Sequence, residues 1–248
     1  MRFEKCGAIR SPALSAVSTS NTSRVAPFRL NVAHSANMGS QSALNINPSD
    51  IDIRREISCS KSSAIYEVQL AGKTYAMKLV STISASKDHA HISVPDNGDQ
   101  GYTKKGRDLN RFRCELNAYH NLRKFGVCDR GFVPAFHGHI DRIDPSAFFP
   151  PLKHFVGDEF RPRAILLEYL PDEERLNCVN YSEDLFRNVV DGIEDIHRAF
   201  IHHHDIYPKN MLAVAGDRIV WIDFDVATTF SNIGPRERAY SEYETELG

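Results

Sequence analysis

The stretch that most restricts what this chain can fold into is His203-His204-Asp205-Ile206-Tyr207-Pro208-Lys209-Asn210, followed further on by Asp223-Phe224-Asp225. Between them, the apolar runs 211–214 and 218–223 flank Ala215-Gly216-Asp217, a pattern that predicts a β-hairpin. Asn210 then opens the first strand and Asp223 closes the second, so the two lie almost opposite each other at the open end. An amide oxygen beside a carboxylate suits Mg²⁺, which takes hard oxygen ligands and shares its sphere with phosphates and water. Asp205 stands on the loop leading into the same place, where it would accept a proton from, or orient, an incoming hydroxyl. A transition-metal site at the adjacent histidines 202–204 is disfavoured, because side chains alternate along an extended segment. His137 and His139, two apart on a strand, are read as surface or packing residues.

Upstream, residues 65–70 and 74–80 are β-rich runs separated by Ala71-Gly72-Lys73, which predicts a second hairpin. Alternation puts Tyr75, Met77 and Leu79 on one face and Ala76, Lys78 and Val80 on the other. A lysine among small and apolar neighbours is unusual. Residues 111–125 carry Phe112, Leu116, Tyr119 and Leu122 at helical spacing, and Glu115 falls inside that stripe. A buried carboxylate requires a partner, since an unpaired one costs several kcal/mol, order of magnitude. Lys78 is the natural candidate; snorkelling of Glu115 to solvent at the stripe edge is the alternative. Strands are expected at 133–140 and 164–170. Leu185, Phe186, Val189, Val190, Ile193, Ile196 and Phe200 mark an amphipathic helix that Ser182 can cap. This order indicates an α+β architecture rather than repeated βαβ units.

Residues 1–50 contain nine Ser and five Asn with no sustained periodicity, a composition that cannot bury enough apolar surface to offset ordering. They read as a disordered tail, with a mitochondrial transit peptide as the alternative for their basic start. Residues 84–109 read as a polar insertion whose basic cluster is a solvated loop. The formal charge of -2 gives no bulk attraction to nucleic acid or anionic membrane, and no apolar run is long enough to span a bilayer. Five scattered cysteines without a CxxC pair argue against a disulfide framework and for a reducing intracellular setting, cytoplasmic or nuclear.

Taken in order, Tyr75-Ala76-Met77-Lys78, Glu115, Glu168-Tyr169-Leu170, the H-x-D-x-x-x-x-N of His203, Asp205 and Asn210, and Asp223-Phe224-Asp225 resemble the motifs of the protein-kinase-like superfamily. The resemblance covers about residues 53–230. It implies a two-lobed protein-kinase-like fold, with a β-rich upper lobe over 51–170 and a shortened helical lower lobe over 171–248. It implies ATP and Mg²⁺ as cofactors. Lys78, paired with Glu115, would contact the α- and β-phosphates; Asn210 and Asp223 would hold the metal; Asp205 would be the catalytic base or orienting group; His203 would pack the loop. Ile65, Ala76 and the backbone of Glu168 and Leu170 would surround the adenine.

The same comparison shows departures. Ser58, Ser60 and Ser63 occupy the positions of the three glycines of the phosphate-binding loop, whose backbone normally approaches phosphate closely. Serine hydroxyls can replace amides as donors, in a stiffer turn. His204 replaces an arginine, Tyr207 a lysine and Asp225 a glycine. Asp225 is similar in this respect to aminoglycoside and choline kinases. The short segment after Asp225 is similar to minimal relatives such as RIO kinases or the small kinase of the tRNA-modifying KEOPS complex; truncation of a longer ancestor reads equally well. A shortened lower lobe is expected to expose apolar surface of the 182–200 helix unless the tail or a partner covers it. The implied activity is transfer of the γ-phosphoryl group to a hydroxyl of an unidentified protein or small molecule. A pseudokinase, binding nucleotide as a scaffold, is the alternative.

Overall fold

Alternating side chains over residues 52–80 build the first sheet. β1 (Asp52–Cys59), β2 (Ser63–Leu70) and β3 (Lys73–Val80) form an antiparallel meander in the computed structural model, which describes residues 46–60, 63–80, 103, 107–158, 160–214 and 218–247. The β2–β3 turn uses Ala71 and Gly72 at φ 51° and 76°, the left-handed pair that two-residue hairpin turns require. α1 (Arg111–Lys124) follows, its first turn capped by the Asn110 side chain accepting from Arg113 N–H at 2.9 Å, a device that contributes about 1 kcal/mol. After the short α2 (Val127–Arg130), β4 (Phe136–Ile140) and β5 (Arg163–Glu168) complete a five-stranded sheet in the order β1-β2-β3-β5-β4.

The two faces of β3 enter different apolar clusters. Tyr75, Met77 and Leu79 pack with Tyr66, Val68 and Leu166. On the other side, Ala76 and Val80 meet Phe112, Tyr119 and Leu122 of α1. Lys78 therefore lies under α1, as the alternation required.

The remaining chain forms β6 (Glu174–Arg175), α3 (Glu183–Arg198), β7 (Ile201–His202), β8 (Met211–Val214), β9 (Arg218–Trp221), β10 (Thr228–Thr229) and α4 (Pro235–Leu247). β6, β8 and β9 make a three-stranded antiparallel sheet, and β10 pairs with β7. The fold is thus mixed α+β with antiparallel sheets. Ser182 caps α3 through Leu185 N–H at 3.1 Å. Trp221 inserts against α3 and donates to the Val189 carbonyl at 3.2 Å. Gly192 makes that approach possible, since a Cβ there would sit 2.8 Å from the indole nitrogen. The cost of a mid-helix glycine, about 1 kcal/mol, is offset by burial of the indole, which is fully inaccessible.

Several expectations need correction. Residues 46–50 are not tail: Asn47 caps a 3-10 turn at Pro48–Asp50, and Ile46 packs against the first sheet's cluster. The remainder of that segment, most of the 84–109 insertion and the turn at 215–217 lie outside the described residues. β4 begins at Phe136 rather than 133, and β9 ends at Trp221, short of Asp223. Phe186 does not join the buried stripe of α3. It is 40% exposed and borders a cavity of about 750 Å³ with Tyr181, Tyr207 and Tyr243. α4 covers the other end of α3, where Glu244 meets His197 at 3.0 Å. No helix among the described residues is long and apolar enough to cross a membrane, and the four described cysteines are free thiols.

Candidate functional site

A cleft of about 350 Å³ opens between β1–β3 with α1 on one side and β8–β9 on the other. At its floor Lys78 bridges two carboxylates. Nζ lies 2.9 and 2.7 Å from the Glu115 oxygens and 2.6 Å from Asp223 Oδ1; of the two Glu115 oxygens, only Oε1 meets hydrogen-bond geometry. Lys78 and Glu115 are 5% and 1% exposed, so this is a desolvated pair. Burial, the largest influence on Lys78, opposes its charge, but Glu115, Asp223 and Asp225 outweigh it and raise its pKa. Burial pushes Glu115 up to about 7 against the pull of Lys78. For Asp223 burial is again largest, yet Lys78 prevails and holds the carboxyl below its usual value. One ammonium thus serves two carboxylates, leaving the triad net negative when all are ionised.

Asp223 stands just past β9 with φ 68°, a backbone region that costs a non-glycine residue about 1–3 kcal/mol and clusters at functional sites. Its side chain keeps 37% of its surface exposed. Asn210 precedes β8; its Nδ2 donates to the Asp205 carbonyl at 2.7 Å, and its own carbonyl accepts from Ile222 N–H at 3.0 Å. Asp223 and Asn210 both line the cleft. An oriented amide beside a partly exposed carboxylate fits Mg²⁺, which leans on phosphate and water for its other ligands.

The loop 203–210 is fixed from beneath. His203 is fully buried, with Nε2 donating to the Ile222 carbonyl at 3.0 Å and Nδ1 accepting from Asp205 N–H at 3.3 Å. Burial lowers its pKa, and the ring packs 4.7 Å from Phe224. His204, at φ 65°, turns to Thr228 and Tyr240, while His202 turns to the Glu237 carbonyl and Ser241. The rings of His202 and His204 meet edge-on at 5.7 Å, while His203 turns to Ile222 and Phe224. Asp205 Oδ2 pairs with Lys209 Nζ at 2.7 Å, a bond that raises the Lys209 pKa. Asp205 itself does not line the cleft; Lys209 and Asn210 from its loop do.

Ser58, Ser60, Ser63, Ile65, Ala76, Glu168 and Leu170 all border the cleft. Ser60 and Ser63 close the β1–β2 turn on each other, through Ser60 N–H to Ser63 O at 2.8 Å and Ser63 N–H to Ser60 Oγ at 3.1 Å. Their hydroxyls therefore shape the turn before they can serve a ligand. The Glu168 carboxylate is engaged by the protein, accepting from Ala135 N–H and Arg218 at 3.1 Å. Leu170 packs on Leu212 and Val220.

Three participants went unread in the sequence. Lys209 stands in the loop 203–210, but its pairing with Asp205 bridges a stretch that is not an α-helix, so helical spacing could not announce it. Arg111 binds Asp225 at 2.5 Å, a pairing no local pattern announces. Glu244 of α4, 2% exposed, accepts from the N–H groups of His203 and His204 at 3.1 and 2.7 Å and from His197. Burial opposes its charge, but these donors prevail and lower its pKa. Comparison of the chain with protein-family models and with curated proteins gave no match, so the assignment of this cleft rests on its geometry.

Proposed function

We propose that this cleft binds ATP with Mg²⁺ and transfers the γ-phosphoryl group to a hydroxyl of a protein or small molecule, in a two-lobed protein-kinase-like arrangement. The upper lobe would be the five-stranded sheet with α1, and the lower lobe the loop 203–210, β6, β8, β9, α3 and α4. The observation that carries this reading is Lys78 bridging Glu115 and Asp223 at the floor of a nucleotide-sized cleft. Glu115 holds the Lys78 ammonium in the cleft, where it would contact the α- and β-phosphates. Ile65, Ala76 and Leu170 offer apolar walls to the adenine, and the backbone from Glu168 to Leu170 borders its edge. Asp223 and Asn210 would hold Mg²⁺, which neutralises phosphate charge when bound.

Asp205, outside the cleft lining but tied at 2.7 Å to Lys209 within it, would orient the acceptor hydroxyl and take its proton as the oxygen bonds to the γ-phosphorus. The bond to the β–γ bridging oxygen breaks, and ADP leaves. Lys209, beside Asp205 and on the cleft wall, supplies positive charge where the transferred group gathers negative charge. A second reading, nucleotide binding without transfer, is favoured by the Ser60–Ser63 turn, in which hydroxyls are committed to each other. The two part on Asp223→Ala: loss of Mg²⁺-dependent ATP turnover in a variant that still folds by circular dichroism supports transfer, and equal turnover in the variant refutes it.

A further inference from the structure

We propose that the Arg111–Asp225 ion pair is a built-in tie that holds α1 against the Asp223-Phe224-Asp225 segment and so keeps Glu115 at Lys78. Arg111, Glu115 and Tyr119 lie four residues apart and so share one face of α1. That face meets each residue of the tripeptide once, directly or through Lys78. Arg111 Nη1 binds Asp225 Oδ2 at 2.5 Å, Glu115 reaches Asp223 through Lys78, and Tyr119 packs edge-on to Phe224 at 5.5 Å. Below the helix start, Arg107 adds a bond to the Val226 carbonyl at 3.4 Å.

Asp225 is placed for this duty and not for metal. It is 7% exposed, it is absent from the residues bordering the cleft, and its carboxylate is engaged by Arg111. A glycine there would offer α1 no anchor. Asp225 and Arg111 are therefore positioning residues, acting on the cleft through Glu115. Their effect on ATP rests on the function proposed above; their hold on α1 does not.

The test uses the full chain with Arg111→Ala, Asp225→Asn and the charge-keeping Arg111→Lys. Amide hydrogen exchange over residues 111–119 is read without nucleotide, and ATP binding is then titrated against Mg²⁺. Both Arg111→Ala and Asp225→Asn are expected to speed exchange roughly ten-fold or more, the scale of losing a charged hydrogen bond. Both should weaken ATP alike without moving the Mg²⁺ half-point, and Arg111→Lys should keep most of the protection. Exchange at the wild-type rate in Arg111→Ala overturns the tie. A raised Mg²⁺ half-point in Asp225→Asn alone also overturns it, making Asp225 a ligand. Arg111 is 45% exposed at its side chain, so its alanine variant stays informative should Asp225→Asn misfold. Exchange needs no ATP, so it decides the tie even where no nucleotide binds.

Discussion

Replacing Lys78 by Met keeps the side chain's apolar length and deletes the charge that two carboxylates share. Asp223, with 37% of its side chain exposed, retains water. Glu115, 1% exposed, does not. In the wild type burial already lifts Glu115 from 4.5 to about 7 while Lys78 pulls it down; without Lys78 the value rises further. In that interval the folded state holds a proton that the unfolded chain has released, so stability falls as pH rises. The slope is about 1.4 kcal/mol per pH unit. From pH 7 to 8.5 the variant should lose about 2 kcal/mol, about 1.6 kcal/mol more than the wild type, or about 3–6 °C in melting temperature for a unit of this size. Wild-type Glu115, near 7, is about half protonated at the lower end of that window and ionised at the upper end, so it loses only about 0.4 kcal/mol there. Lys78 has a raised pKa, so its contribution is complete below its unfolded value of 10.5 and is lost only above it. Thermal melts followed by circular dichroism at the two pH values read the difference. Adding Glu115→Leu to Lys78→Met should flatten the profile, because an apolar replacement removes the buried charge altogether. Parallel behaviour of wild type and Lys78→Met across the window would refute the desolvated-pair argument.

Two further perturbations act on the loop 203–210. Asp205→Asn should lower the turnover rate by about 10²–10⁴-fold, the range for a lost general base, with ATP affinity nearly unchanged; steady-state kinetics beside calorimetric titration separate the two quantities, and a matching loss of affinity would count against the assigned role. Glu244→Gln deprives the His203 and His204 N–H groups of one acceptor and should cost about 1–3 kcal/mol. Because the Glu244 pKa is lowered, its contribution is present above 4.5 and lost as pH falls through the folded value, so the variant should be the less acid-sensitive protein in melts between pH 6 and 3. An unchanged acid profile would contradict that anchoring.

Features written in local periodicity were legible from the sequence. Alternation in β3 split Met77 and Leu79 from Lys78, helical spacing put Glu115 on the buried face of α1, and Ser182 marked the start of α3. β1 escaped notice because it is an edge strand with two register shifts and mostly exposed residues, so no alternation is visible in it. Phe186 misled because helical spacing gives a face without saying how far along the helix that face stays covered. The Arg111–Asp225 and Glu244–loop contacts join residues far apart in the chain. α4 in addition buries only Glu244, so apolar periodicity could not point to it. The serines of the β1–β2 turn were located by alignment, but their mutual hydrogen bonds depend on a turn geometry that residue identity alone does not specify.

The most direct test of the nucleotide reading is the melting temperature of the purified chain with ATP, with and without Mg²⁺, beside Asp223→Ala. At ligand about 100-fold above its dissociation constant, binding adds about 2.7 kcal/mol, a rise of about 5–10 °C. The account predicts that Mg²⁺ enlarges the ATP-induced rise in the wild type and that Asp223→Ala abolishes the enlargement. A wild-type melt indifferent to millimolar ATP, whether or not Mg²⁺ is present, would contradict it.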